Sequence, residues 1–205
     1  MNNSVYHKLV LAALVAAFIL GFSAPGFAFD KVRKGFILGF GLGPGYDMYT
    51  ETRDSSGTEV AKFDESKISL FSDFKIGYAP SNQLMVYWMS KGAWFGVDST
   101  IIDDEMDEVS ILGGVGGLGA TYFFKPEAPS LYVSAGVGFS SWSLPFEGSD
   151  PWTGLGMAGS IGYEFSPNWT VEASVLWGQP SNETDDYKND VDNMAIGLTI
   201  NVLGY

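Results

Sequence analysis

The sequence predicts an all-β fold, an eight-stranded antiparallel up-and-down transmembrane β-barrel. Three observations carry that reading. The hydrophobic period is two nearly everywhere after residue 33. The connections between alternating runs are short and long in turn. The less apolar face of each run is Gly, Ser, Ala and Thr rather than the Lys, Glu and Gln that bulk water favours.

The first 28 residues are set apart from the fold. A polar start with one lysine, Lys8, leads into LVLAALVAAFILGF (Leu9–Phe22), an apolar run too short for a membrane helix. Gly26-Phe27-Ala28 then places small residues at the −3 and −1 positions of a cleavage site. Residues 1–28 read as a secretory signal peptide, cut after Ala28, and residues 29–205 as one barrel domain.

The expected strands follow in order. In Gly35–Gly43, Phe36, Leu38, Phe40 and Leu42 share a face. In Ile68–Tyr78, Ile68, Leu70, Phe74, Ile76 and Tyr78 oppose Ser69, Phe71, Asp73, Lys75 and Gly77. Leu84–Ser90 and Val109–Phe124 are apolar or small on both faces, so their orientation stays open. Ser130–Trp142, Gly154–Phe165, Trp169–Trp177 and Asn193–Tyr205 alternate cleanly. Short proline-containing turns (Ala79–Gln83, Lys125–Pro129, Ser166–Asn168) mark one end of the barrel. Long links (about Glu51–Lys67, Gly96–Glu108, Ser143–Trp152 and Gly178–Asp192) mark the other and hold most of the acidic residues. Aromatics near strand ends, Tyr78, Tyr122, Phe123, Phe165, Trp169 and Tyr205 at one rim and Tyr46, Tyr49, Trp94, Trp142, Trp152 and Trp177 at the other, are expected to form interfacial girdles.

The repeated GLGATYFF, SLYVSAGVGF and GLGMAGSIGYEF strands, with a C-terminal strand ending GLTINVLGY, resemble the small bacterial outer-membrane barrels: the OmpA transmembrane domain and the OmpX- and OmpW-like proteins. The resemblance covers residues 33–205. It implies both ends on the periplasmic side, long loops outside the cell, and contact with outer-membrane lipid and lipopolysaccharide. It further implies delivery to the outer-membrane assembly machinery through the C-terminal strand, and a monomer. Tyr205 has nominal lumen parity, which suggests a bulge near the C-terminus.

Charge and composition exclude several function classes. The formal charge is −13, and one unit more negative once Lys8 leaves, which removes nucleic acid as a partner. There is no cysteine, and the one histidine, His7, lies in the leader. The domain therefore has no imidazole base, no thiolate and no expected cofactor. The enzyme families built on this barrel each use a histidine, so the resemblance implies no catalysis here. Two G-x-G-x-x-G matches, Gly114/Gly116/Gly119 and Gly154/Gly156/Gly159, run on as strands and lack the helix that a dinucleotide site requires. Asp103, Asp104, Glu105, Asp107 and Glu108 form a weak divalent-cation candidate without EF-hand spacing.

The remaining candidate site is inside. Glu164 and Glu172 share the lumen face of neighbouring strands. Counting back from a turn centred on Asn168 sets them directly opposite each other, a repulsion that needs an offset. Lys75, Arg33 and Asp73 have the same parity. A buried network of Glu164, Glu172, Lys75, Asp73 and Arg33 is expected in the periplasmic half. The expected role is structural or surface-interacting. The alternatives are a narrow channel for ions or a small apolar ligand, and an adhesin or receptor acting through its acidic loops.

Overall fold

A computed structural model describes residues 32–55, 58–99, 107–145, 150–183 and 188–205. The leader, and Asp103, Asp104 and Glu105, lie outside the described residues; of Asp107 and Glu108 only the backbone is described.

Eight strands form: β1 (Gly35–Ser55), β2 (Thr58–Ala79), β3 (Leu84–Ser99), β4 (Asp107–Phe123), β5 (Ser130–Ser143), β6 (Trp152–Ser166), β7 (Trp169–Glu183) and β8 (Lys188–Gly204). Each pairs antiparallel with the next, and β8 returns to β1, closing the barrel. In the band where all eight strands are paired, closure satisfies the backbone without exposing polar groups to hydrocarbon.

The alternation sorts the side chains as their chemistry demands. Phe36, Leu38, Leu42, Ile68, Leu70, Leu118, Val137, Leu155, Ile161 and Ile200 point outward and are exposed. Ile37, Phe71, Asp73, Lys75, Tyr132, Glu164, Glu172 and Thr199 point inward and are buried. An apolar outside and a mixed inside is the inverse of a water-soluble barrel and fits a lipid surround. The two ambiguous strands resolve. β3 turns Met85, Tyr87, Met89, Lys91, Ala93 and Phe95 inward, and β4 turns Ile111, Val115, Thr121 and Phe123 inward.

The structure differs from the sequence expectation in four places. First, the long links are largely strand. The β1–β2 ladder runs on to Ser55 opposite Thr58, and the β7–β8 ladder to Glu183 opposite Lys188. A tilted strand crosses hydrocarbon in about 10 residues, whereas β1 and β2 have 21 and 22. Their upper halves stand in water, where both faces can be polar and the period-two signal fades. Second, Tyr49, Trp142 and Phe123 are buried inside the barrel rather than placed in a lipid-facing girdle, and Trp152 packs against the interior cluster. Third, Glu164 and Glu172 are not directly opposed. Glu164 faces Thr170 and Glu172 faces Gly162, with a register shift between Glu164 and Ser166. Asn168, in the left-handed region at φ 73°, tightens the turn and moves the pairing away from the simple count. Fourth, the bulge expected near the C-terminus is absent, since β8 holds one register against β1 and β7 throughout.

A candidate functional site in the charged lumen

The lumen is built in layers, and the lowest lies at the short-turn end of the barrel. Arg33 precedes β1 and is 1% exposed. Its Nε donates to Glu164 Oε2 at 3.0 Å, and its Nη2 pairs with the same oxygen. Its Nη1 donates to the carbonyls of Asn82 and Lys125, both at 2.8 Å, in two different turns. The guanidinium stacks 4.0 Å above the centre of the Phe123 ring. Tyr205 donates its hydroxyl to Glu164 Oε1 at 2.6 Å and accepts from the Asn168 backbone N–H at 2.9 Å. Arg33 thus ties three loops and strands together, and the C-terminal residue reaches inward after β8 ends at Gly204.

The second layer is a four-centre ion cluster. Glu172 Oε2 accepts from Lys75 Nζ at 2.7 Å and from the Tyr132 hydroxyl at 2.8 Å. Its Oε1 accepts from Lys91 Nζ at 2.6 Å and from Ser174 Oγ at 3.1 Å. Asp73 Oδ2 receives both lysines, Lys91 at 2.6 Å and Lys75 at 2.9 Å. All four charged groups are buried, Glu172 completely. Gly162 makes room for this. It sits between Tyr132 and Glu172 in the ladders, and a Cβ there would lie 2.1 Å from the Tyr132 ring. Tyr132 lies across the bare glycine and so reaches the carboxylate.

The two layers together hold Arg33, Lys75 and Lys91 against Asp73, Glu164 and Glu172. Their formal charges cancel. Balance matters because an isolated charge in a low-dielectric interior is expensive, while a paired and hydrogen-bonded one is tolerated.

Above the ions come Phe71 opposite Ala93 and Leu176 opposite Ala195, an apolar belt within a larger cluster that includes Met89 and Val115 beside the lysines. Phe71 fills the space over Gly45 and Gly197, where an added Cβ would meet its ring at 3.1 and 2.3 Å. Higher still, Asp47 accepts from Asn193 Nδ2 at 2.6 Å. Its Oδ2 has no protein hydrogen-bond partner among the described residues, and no ion pair to it is found among them. The top layer is aromatic: Tyr49 and Trp142 centroids are 4.9 Å apart, and Phe95 lies 5.7 Å from each. Ile111 and Val191 complete it.

The structure therefore brings all five sequence-predicted residues into the lumen, but as two clusters rather than one. Arg33 with Glu164 forms the lower, and Lys75, Asp73 and Glu172 the upper. Sequence reasoning missed Lys91, which set β3's orientation aside, and missed Tyr132, Ser174 and Tyr205 as ligands of the glutamates. A lysine inside an otherwise apolar strand was the available signal for Lys91, since it cannot face lipid at that depth. Among the described residues, no group of three or more metal-ligating side chains is present.

A closed eight-stranded barrel with an apolar outer band and a packed, charge-paired lumen defines a small integral barrel of the bacterial outer-membrane type. OprG shares this fold, and other solved outer-membrane proteins are similar to the chain. OprG from Pseudomonas aeruginosa is 13% identical with a TM-score of 0.50, covering 84% of this chain and 98% of that one. AlkL, solved in lipid bilayers, is 13% identical with a TM-score of 0.47, covering 84% and 91%. Ail, the attachment invasion locus protein of Yersinia pestis, is 16% identical with a TM-score of 0.39, covering 80% and 99%. No protein-family model and no curated protein sequence matches. The chain has the fold of the OmpA-, OmpX- and OmpW-like barrels.

Proposed function

We propose that this protein is a non-conducting, non-catalytic outer-membrane barrel whose lumen is an internal brace and whose acidic strand extensions present a surface outside the cell. The observation that carries this is the neutral six-charge network, buried below an apolar belt and an aromatic lid. An eight-stranded barrel has an interior just wide enough for side chains, and here each layer is filled. A permeation path would have to break buried ion pairs and then displace Phe71.

Beyond the leader there is no histidine or cysteine to serve as base or nucleophile. The carboxylates of the lumen network, Asp73, Glu164 and Glu172, are already occupied by lysine, arginine and tyrosine. The leader is removed on export, and the barrel is a monomer within its own membrane, assembled from its C-terminal strand and bordered by lipid and lipopolysaccharide. By its composition, the acidic run from Asp103 to Glu108 offers a weak site for divalent cations.

Osmotic swelling of proteoliposomes tests the closed lumen. Vesicles carrying the full chain should admit small sugars and salts no faster than lipid alone. Solute-dependent swelling above that rate would replace this reading with a narrow channel.

A further inference from the structure

The register leaves a long edge of β2 open. β2 begins at Thr58, but its ladder with β3 stops at Leu70 opposite Trp94. On its other side β2 stays paired with β1 to the end, Thr58 opposite Ser55. Among the described residues, Thr58–Ser69 is therefore paired with no strand on its β3 side, although β3 itself runs on to Ser99 in its ladder with β4. An unpaired edge offers a row of N–H and C=O groups to another extended chain. Edges are usually blunted by proline or bulges; this one has no proline, and its one bulge is Val60, left unpaired where Arg53 faces Ala61 and Asp54 faces Glu59, outside the stretch Ala61–Glu65 on which the pairing below is centred. It also presents apolar side chains to solvent: Val60 is 55%, Phe63 61% and Ile68 83% exposed.

We propose that this edge pairs antiparallel with the same edge of a second copy of this chain, centred on Phe63. The argument is self-complementarity. Two identical antiparallel edges are related by a twofold axis perpendicular to the sheet, so facing residues must lie on the same sheet face. The centre of the pairing must then fall on a residue. Centring on Phe63 sets ring against ring, Lys62 against the other copy's Asp64, and Asp64 against its Lys62. Moving the centre one residue either way sets Lys62 against Lys62 or Asp64 against Asp64, and like charges directly opposite are destabilising. Lys67 is already paired within its own strand, to Glu65 at 2.9 Å, and is not required.

The same axis fixes where the second copy sits. It inverts the strand direction, and β2 runs from its outer tip at Thr58 down into the membrane to Ala79. The partner's barrel therefore points the opposite way and lies in a facing membrane. The pairing is between cells, as a homotypic contact. This rests on the proposed reading that the strand extensions face outside.

Liposomes carrying the full-length protein, labelled in two colours, test it by mixed clustering. Wild-type liposomes should cluster. Lys62→Asp alone and Asp64→Lys alone should each reduce clustering roughly tenfold, because each turns both attractive contacts into repulsive ones. Mixing Lys62→Asp liposomes with Asp64→Lys liposomes should restore it, since every contact is again opposite in sign. Heat-modified gel mobility shows that each variant is folded. Wild-type liposomes that stay dispersed, a folded single variant that clusters like wild type, or a mixture that does not recover would each overturn the proposal. Solute leakage from the same liposomes is read separately. Leaky vesicles that cluster would remove the closed-lumen function and leave this contact standing. Tight vesicles that do not cluster would do the reverse.

Discussion

Glu172 receives more hydrogen bonds than any other lumen carboxylate described above, and its neighbours show what its charge is for. Glu172→Gln would leave Lys75 and Lys91 sharing Asp73 alone, with one buried positive charge uncompensated. Breaking such a pair costs about 3 kcal/mol. The loss should appear as a lower urea midpoint by tryptophan fluorescence in lipid vesicles. Adding Lys91→Met should recover much of it, because the remaining charges balance again. If Glu164→Gln combined with Glu172→Gln left the transition unmoved, the network would have no part in stability. Asp47 is the contrasting case: buried, bonded to Asn193, and with no cation among the described residues. Asp47→Asn removes an uncompensated charge and keeps the shape. Its midpoint should equal or exceed that of the wild type, and a loss of more than about 1 kcal/mol would reveal a countercharge. At this scale parity was legible wherever a strand had one polar face, which is why Glu164, Glu172, Lys75, Asp73 and Arg33 could be named. Lys91 could not be placed, because β3 is apolar on both sides. Tyr49 and Trp142 were misplaced because an aromatic at a strand end suits a girdle and a lumen equally, and only register separates the two.

Strands were legible as segments but not in their extent or mutual offset. The lipid-facing halves announce themselves by Phe, Leu, Ile and Val on alternate positions. The upper halves of β1 and β2, such as TETRDS and TEVAKFDESK, are polar on both faces and look like loop. They are held as strand by continuous pairing with each other, a non-local property no single segment displays. The offset between β6 and β7 depends on the shift beside Ser166, which the turn sequence alone does not specify. Glycine positions carry that information physically. Gly162→Ala should push Tyr132 off Glu172 and cost about 2 kcal/mol, measured by the same urea titration. Gly159, where an added Cβ would meet nothing within 4 Å, is the matched control and should tolerate alanine. Equal effects at the two positions would mean that Tyr132 is not held by the space over Gly162.

For the whole molecule, the architecture followed from chemistry that a sequence displays openly. A chain with a small-residue minor face and an apolar major face has one way to satisfy its backbone in lipid with strands, and that is closure. What the closed wall encloses could not be read the same way, since the layering emerges only when eight registers are set together. On the proposed reading those layers, an arginine brace, a four-centre ion cluster, an apolar belt and an aromatic lid, leave no continuous polar path. Single-channel recording of the purified full chain in planar bilayers tests that directly. The closed lumen predicts a silent membrane at neutral pH under applied voltage. Reproducible unitary steps from folded protein would contradict it.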